Sequence, residues 1–347
     1  MQFSELVKNL SDSTVKGSSL TAYPDLNPKV TGVASVEEAT LGTIAYIEGG
    51  KYAAMLETTG ASALILPCDE RLQQAAIARG IPWIAASDPK YLFASAVKLF
   101  YQPYRPQPGI HPTAIIDPTA MIGENCAIGA RVFIDANVKI GNDVCILANV
   151  VIYPDVEIGD RTLLHANCTI HERTRIGADC IIQSSAVIGA EGFGFVPTSK
   201  GWIKMEQSGI TVLEDGVEVG CGSAVDRPPV GETRIGRNTK IDNLVQIGHG
   251  CRVGAGCMMS AQVGLAGRAK IGDRVILAGQ AGVGNDISIG DGAIASAKSG
   301  VMRDVPPGQT VSGFPAIAHR LWSKISVLQL RLPEIDRAIK KIEKSRE

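Results

Sequence analysis

Aromatic residues make up only 5% of this 347-residue chain, too few for a core built on large rings. No run of 18 apolar residues occurs, which excludes an ordinary membrane-spanning helix. The opening residues, Met1-Gln2-Phe3-Ser4-Glu5, lack the basic-then-apolar order of a secretory signal. A cytoplasmic protein is therefore expected, with proximity to a membrane surface left open. A net charge of −1 supplies no broad positive field, so nucleic acid is not an expected partner. The eight cysteines include no C-x-x-C pair, which argues against both a zinc site and a disulfide framework.

What the chain does have is a period of six. Stepping by six from Ile116 gives Ile122, Ile128 and so on to Ile188, with Leu164 the one non-isoleucine. A second run goes Ile235, Ile241, Ile247, Val253, Met259, Leu265, Ile271, Leu277, Val283 and Ile289. No charged or polar residue lands on either ladder. A helix repeats at 3.6 and a strand at 2.0, so neither accounts for a strict six. Hexads are the mark of a parallel β-helix, three flats to a triangular coil. Residues 18 apart then stack, roughly 4.8 Å from rung to rung. With Leu213, Val219 and Val225 included, and a four-residue excess before Ile235, the ladders make roughly nine coils. Gly often follows the aliphatic, as in Ile122-Gly123, Ile140-Gly141 and Ile235-Gly236, which suits corners with unusual backbone angles. Two residues before the aliphatic, small residues are expected: Cys126, Ala136, Cys168, Ala186 and Cys251. Six of the cysteines lie two residues from a ladder position and read as small core residues.

The rest of the chain divides around this element. Residues 1–102 carry no hexads and alternate short helices and strands, an α/β domain. A Pro-rich linker, residues 103–110, precedes the β-helix, residues 111–310, and a helical segment, residues 311–347, follows it. The fold class expected is mainly β: a left-handed parallel β-helix with an N-terminal α/β domain and C-terminal helices. In the last segment Ile325, Leu328, Leu332, Ile335, Ile339 and Ile342 form an apolar seam at helical spacing, which Pro333 is expected to split into two helices. From Ile317 to Glu347 eight Lys/Arg face four Asp/Glu, a net +4, which suits either a solvated face or an acidic partner. Between Ile188 and Leu213 the hexads break for an insert, Gly192-Phe193-Gly194-Phe195 through Trp202 and Lys204. It reads equally as a cover over apolar surface or as the wall of a ligand cleft.

Proton-transfer chemistry needs a base, and the chain has five histidines. His111 and His319 read as structural. His165 and His171 are six apart, hence on different flats, and no metal set is expected within one chain. His249 lies two residues past Ile247 at a corner, and Gly267, 18 residues on, offers a backbone N–H one rung away. A histidine base beside a backbone donor is an acyl-transfer arrangement. From spacing alone, a surface histidine fits as well.

Several longer stretches carry a resemblance. Gly189-Ala190-Glu191-Gly192-Phe193-Gly194-Phe195, Val225-Asp226-Arg227, Lys240 to His249, Gly279-Gln280-Ala281-Gly282-Val283 and Ser312-Gly313-Phe314-Pro315-Ala316 together resemble the UDP-3-O-acylglucosamine N-acyltransferase family of lipid A biosynthesis, over almost the whole chain. The resemblance implies a homotrimer with active sites between prisms. It implies transfer of a 3-hydroxyacyl group from acyl carrier protein to the 2-amino group of a UDP-3-O-acylglucosamine. The phosphopantetheine arrives on the carrier, so no bound cofactor is expected. By the same resemblance His249 is the general base and the Gly267 N–H the oxyanion donor, with Asp226 or Asp242 orienting the imidazole. Tyr46, Lys51 and Tyr52 are expected around the uracil, and Asn243, Gln246 and Asp286 at the substrate. Ser299 and Gly300 are expected along an acyl groove, and Arg320, Lys324 and Arg331 at the carrier protein. Two departures stand out: Gly49-Gly50 where the family often has Asn-Pro, and Asp286 where it usually has a second histidine. The rival readings are an acyltransferase for another nucleotide-linked amino sugar, and a non-catalytic or metal-dependent hexapeptide protein.

Overall fold

The computed structural model describes residues 1–313 and 318–344, the side chain of Lys51 excepted. Two compact units emerge, Met1–Arg105 and Pro106–Glu347. The first is a five-stranded sheet in the order β1-β5-β4-β3-β2, from β1 (Val15–Ser18), β2 (Gly32–Val33), β3 (Thr43–Tyr46), β4 (Ala63–Leu66) and β5 (Trp83–Ala86). Only β1 runs antiparallel. Helices α1 (Phe3–Asn9) and α3 (Pro89–Phe100) supply Phe3, Leu6 and Leu92 to one sheet face. Helix α2 (Glu70–Ala78) and a 3-10 helix over Gly50–Glu57 supply Ala76 and Leu56 to the other. Asp69 and Asp88 cap α2 and α3 by accepting from the amides of Arg71 and Tyr91, which fixes where each helix starts.

The second unit is the β-helix, three parallel sheets of ten, nine and eleven short strands. That is about ten coils, more than the ladder alone implied. Strands at Gly109–Ile110, Ile294–Ala295, Gly300–Val301 and Thr310–Val311 extend it at both ends. Within each run a ladder residue pairs with the one 18 positions on, as Ile134 with Ile152. Across the insert the step is 37, as Ile188 with Val225, and across the four-residue excess it is 22, as Val225 with Ile247. All the aliphatics thus face one continuous core. A second inward row stands two residues before each ladder position: Val132, Val138, Val144, Cys168 and Cys180 are all fully buried. Ala136 does not belong to it; it falls four residues before Ile140 and is half-buried. Small donors in this row tie coil to coil: Thr162 Oγ1 donates to Gly177 O (2.9 Å), and Cys251 Sγ to Ala266 O (3.1 Å). Burial pushes the Cys251 thiol up to about 11 and that of Cys168 to about 12, so both stay protonated. Cys221, by contrast, is exposed, outside the core role expected for it.

Apart from Gly189 (φ +85°), the glycines after the ladder residues have another cause than unusual angles. A Cβ on Gly123 would lie 2.5 Å from Gly141 O, so the coils approach too closely for any side chain. The left-handed backbone falls two residues further on, at Asn125, Arg131, Asn137 and so on every six, with φ near +60°. Asn, Asp and Gly fill many of these corners because they tolerate that conformation best. After the prism comes one helix, α4 (His319–Lys344), which runs unbroken through Pro333. A proline removes a single amide donor, and here good helix formers flank it. The Arg331–Glu334 and Lys340–Asp336 pairs support the turns on either side. No helix among the described residues is long and apolar enough to cross a membrane.

Candidate active site

His249 stands at the corner after the strand Gln246–Ile247, which lies between Ala224–Arg227 and Gly264–Leu265 on one flat. Its carbonyl accepts from the amide of Arg268 (2.9 Å), which fixes the corner to the coil beyond. The imidazole lies over Gly267: a Cβ there would sit 2.8 Å from both Cε1 and Nε2. Only glycine fits under this ring.

At corners of the neighbouring flat, the one that carries Ile122, Ile140 and Val253, a side chain one coil on takes the amide proton. Glu124 N donates to Asn142, Asn142 N to Asp160, and Ala255 N to Asp273, each at 2.8 Å. Gly267 N has no partner among the described residues. Asn285, 18 positions on, lines the cleft instead. A bare N–H beside an imidazole is what a developing oxyanion requires.

The cleft in front of this pair encloses about 710 Å³. The insert forms one wall, through Gly192, Phe193, Phe195 and Lys204, which settles its reading in favour of a cleft wall. Asp226 and Gln246 line the floor, with Gln246 Nε2 donating to Asp226 Oδ2 (2.9 Å). Burial pushes the Asp226 carboxyl up to about 6, against the hydrogen bond from Gln246. His249 is held below its ordinary value, first by burial and then by the Arg268 guanidinium, with Asp286 opposing. Asp286 itself forms a two-pronged pair with Arg268, at 2.7 and 2.6 Å, which keeps its carboxyl ionised.

Two expected residues lie elsewhere in the chain. Asp242 is at the next corner, where its carboxylate accepts from the amides of Asn243 and Ala261. Asn243 accepts from Cys221 N, and Asp242 and Asn243 line a separate cavity of about 400 Å³. Neither Asp226 nor Asp242 bonds to His249 within the described chain. Ser299 is also misplaced: it belongs to the inward row, is buried, and its hydroxyl has no partner among the described residues. Gly300 is exposed, and it continues a bare strip, Gly264, Gly282, Gly300, on the flat beyond Gln246. A Cβ at any of the three would meet nothing within 4 Å.

In the N-terminal unit, Tyr46 ends β3 and packs on Phe93, ring centres 4.7 Å apart. Tyr52 packs with the cluster on the other sheet face. The two rings thus flank the C-terminal end of β3, the end where parallel sheets bind ligands. Gly49 and Gly50 take φ of +96° and +57°, a course that a proline at position 50 could not follow. Lys51's side chain lies outside the described residues, as do positions 314–317. Arg320, Lys324 and Arg331 are exposed on α4. Sequence reasoning missed Arg268 and Asn285 as cleft residues, although the 18-residue step from Gly267 leads directly to Asn285.

A hexad prism with this corner places the protein among the hexapeptide-repeat acyltransferases. A profile of six hexapeptide transferase repeats matches residues 232–267, and that of UDP-3-O-(3-hydroxymyristoyl) glucosamine N-acyltransferase matches residues 27–99. The chain belongs to the UDP-3-O-acylglucosamine N-acyltransferase family. It is 62% identical to the protein of that name from Gloeothece citriformis over 100% of this chain and 99% of that one. With the Nostoc punctiforme protein of the same name it shares 61% identity over 99% of this chain and 98% of that one. Among solved structures, an Arabidopsis UDP-N-acetylglucosamine acyltransferase superposes with a TM-score of 0.54 at 25% identity, covering 59% of this chain and 71% of the other.

Proposed function

We propose that the protein transfers a 3-hydroxyacyl group from acyl carrier protein to the 2-amino group of a UDP-3-O-acylglucosamine, with His249 as general base. The observation that carries this reading is the imidazole lying over a glycine whose amide has no partner among the described residues. The amine nitrogen attacks the thioester carbonyl while neutral His249 takes its proton. The carbonyl oxygen, now negative, accepts from Gly267 N–H. Collapse re-forms the carbonyl, breaks the C–S bond and returns the proton to the departing pantetheine thiol. Depression of the His249 pKa keeps the ring neutral and able to accept a proton near pH 7. No acyl-enzyme is needed.

Three parts of the reading extend beyond one chain. A homotrimer would set one prism's His249 cleft against a neighbour's flat, and Asp242 and Asn243 are the residues we assign to the neighbour's side. The product would enter lipid A biosynthesis at the cytoplasmic side of the membrane. Asp286 and Gln246 would touch the substrate, and Tyr46 and Tyr52 the uracil. The glycines at positions 49 and 50 favour one second reading, an acceptor with a different nucleotide or sugar, because the backbone there departs from the family's course. Competition between UDP-3-O-acylglucosamine and other nucleotide-linked amino sugars separates the two. Preference for the first acceptor supports the proposal, and preference for another overturns it.

The strip of Gly264, Gly282 and Gly300 gives a long acyl chain a flat bed along the prism. Each further CH₂ buried there adds about 0.8 kcal/mol until the bed ends. Gly300→Met should therefore shorten the preferred chain in a donor series of increasing length, while transfer of short chains continues.

The +4 balance of the C-terminal segment suits an acidic carrier protein. Reversing Arg320, Lys324 and Arg331 to Glu should raise KM for acyl carrier protein several-fold. Wild-type turnover on the carrier should weaken similarly as salt shortens the screening length to below about 8 Å. Turnover with a free acyl-pantetheine donor should change little in both cases.

A further inference from the structure

One side chain fastens both ends of the insert that walls the cleft. Arg227 is only 6% exposed, yet it carries a full charge. Its Nη1 donates to Gly189 O (2.8 Å), where the insert leaves the prism, and its Nε to Gln207 O (2.7 Å), where the chain returns. Its Nη2 meets Glu172 Oε1 at 2.7 Å and Glu191 Oε1 at 3.6 Å. Its own carbonyl accepts from Gly192 N (3.1 Å). A buried guanidinium is tolerated when its fork is filled in this way. The strand here also pairs beyond the usual two residues, Ala190 with Asp226 and Glu191 with Arg227.

The insert so held touches the base directly. Gly192 packs so closely on His249 that a methyl at position 192 would overlap the histidine Cβ. No hydrogen bond within the described chain orients the imidazole, so its aim depends on packing. We propose that Arg227 is a positioning residue for acyl transfer: by pinning Gly189, Gly192 and Gln207 it holds the insert against His249 and keeps the imidazole over Gly267. This rests on His249 being the base. Holding the wall in place also keeps water from one side of the ring. The charged groups facing His249 are Arg268 and Asp286 from the coils beyond, Asp226 from the coil before, and Glu191 and Lys204 from the insert.

The test is NMR titration of the histidine ring carbons in the full-length protein, beside turnover measurements. The His249 signal is identified by its loss in His249→Ala. In Arg227→Gln the His249 titration should move up toward the ordinary value of about 6.5 as the wall loosens. Its kcat should fall about 10²-fold with a much smaller change in KM, the scale of a 1 Å misplacement. Gly192→Ala displaces the same wall with Arg227 intact; it should reproduce both changes, and the double variant should be no worse than either single one. A folded Arg227→Gln with unchanged titration and kcat overturns the proposal. So does an Arg227→Gln that loses cooperative unfolding while Gly192→Ala leaves His249 and kcat untouched. Absence of transfer by the wild type would contradict the functional reading instead, and the titrations would still decide whether Arg227 positions the ring.

Discussion

His249→Ala should lower kcat for N-acylation by about 10²–10⁴-fold, the usual cost of removing a general base. The fold should survive, because the imidazole makes no hydrogen bond within the described chain and stands outside the core. Size-exclusion chromatography and circular dichroism should match the wild type while turnover collapses. The pH dependence carries a sign. Only neutral His249 can accept the amine proton, and burial followed by Arg268 holds its pKa below the usual 6.5. As pH falls through 6.5 the ring therefore remains largely neutral, and its share of the activity disappears only below that value. The acceptor amine titrates as well, so the acid limb of kcat/KM contains two ionisations. The amine's is measurable on the free sugar nucleotide; the other belongs to His249.

Gly267→Ala should be nearly as damaging, although it removes no functional group. The new methyl would sit 2.8 Å from two ring atoms of His249, and contact distances between such atoms are well above 3 Å. Either the ring or the corner must shift, which separates the base from the one bare amide. A displacement of about 1 Å costs on the order of 10²-fold. Adding Gly267→Ala to His249→Ala should cost little more, since the two act on one arrangement. Gly279→Ala is the control: a Cβ there meets its nearest neighbour at 3.6 Å, and near-wild-type turnover is expected. Turnover and acceptor KM for the three variants decide the matter.

The prism was legible because a hexad ladder repeats the same physical demand every six residues, and 23 hexad steps leave no competing pattern. Its last strand was not, because Val311 lies ten residues past Val301, off the step of six that Ala295 and Val301 still keep. The link between Ile247 and Val225 followed from counting through the four-residue excess, and the pairing agrees. Gly267 was reachable for the same reason. Ser299 was misjudged because the inward row two residues before the ladder was read only as small residues, not as a second core position. Asp242's place on another corner was equally implicit in the period, since seven residues from His249 is just over one flat. The insert is different. Gly192 meets His249 through a contact set by an arginine clamp outside the repeat, and nothing periodic points to it. Pro333 in α4 shows that a local rule yields when the surrounding turns are strong.

The most direct test of the account is mass spectrometry of the products formed by wild type and His249→Ala side by side, given 3-hydroxyacyl carrier protein and UDP-3-O-acylglucosamine. The account predicts that the wild type adds one 3-hydroxyacyl group through an amide that survives the mild alkali that strips esters, and that the variant forms the same product at a small fraction of the rate. An alkali-labile addition, no addition by the wild type, or equal rates in the two proteins would contradict it.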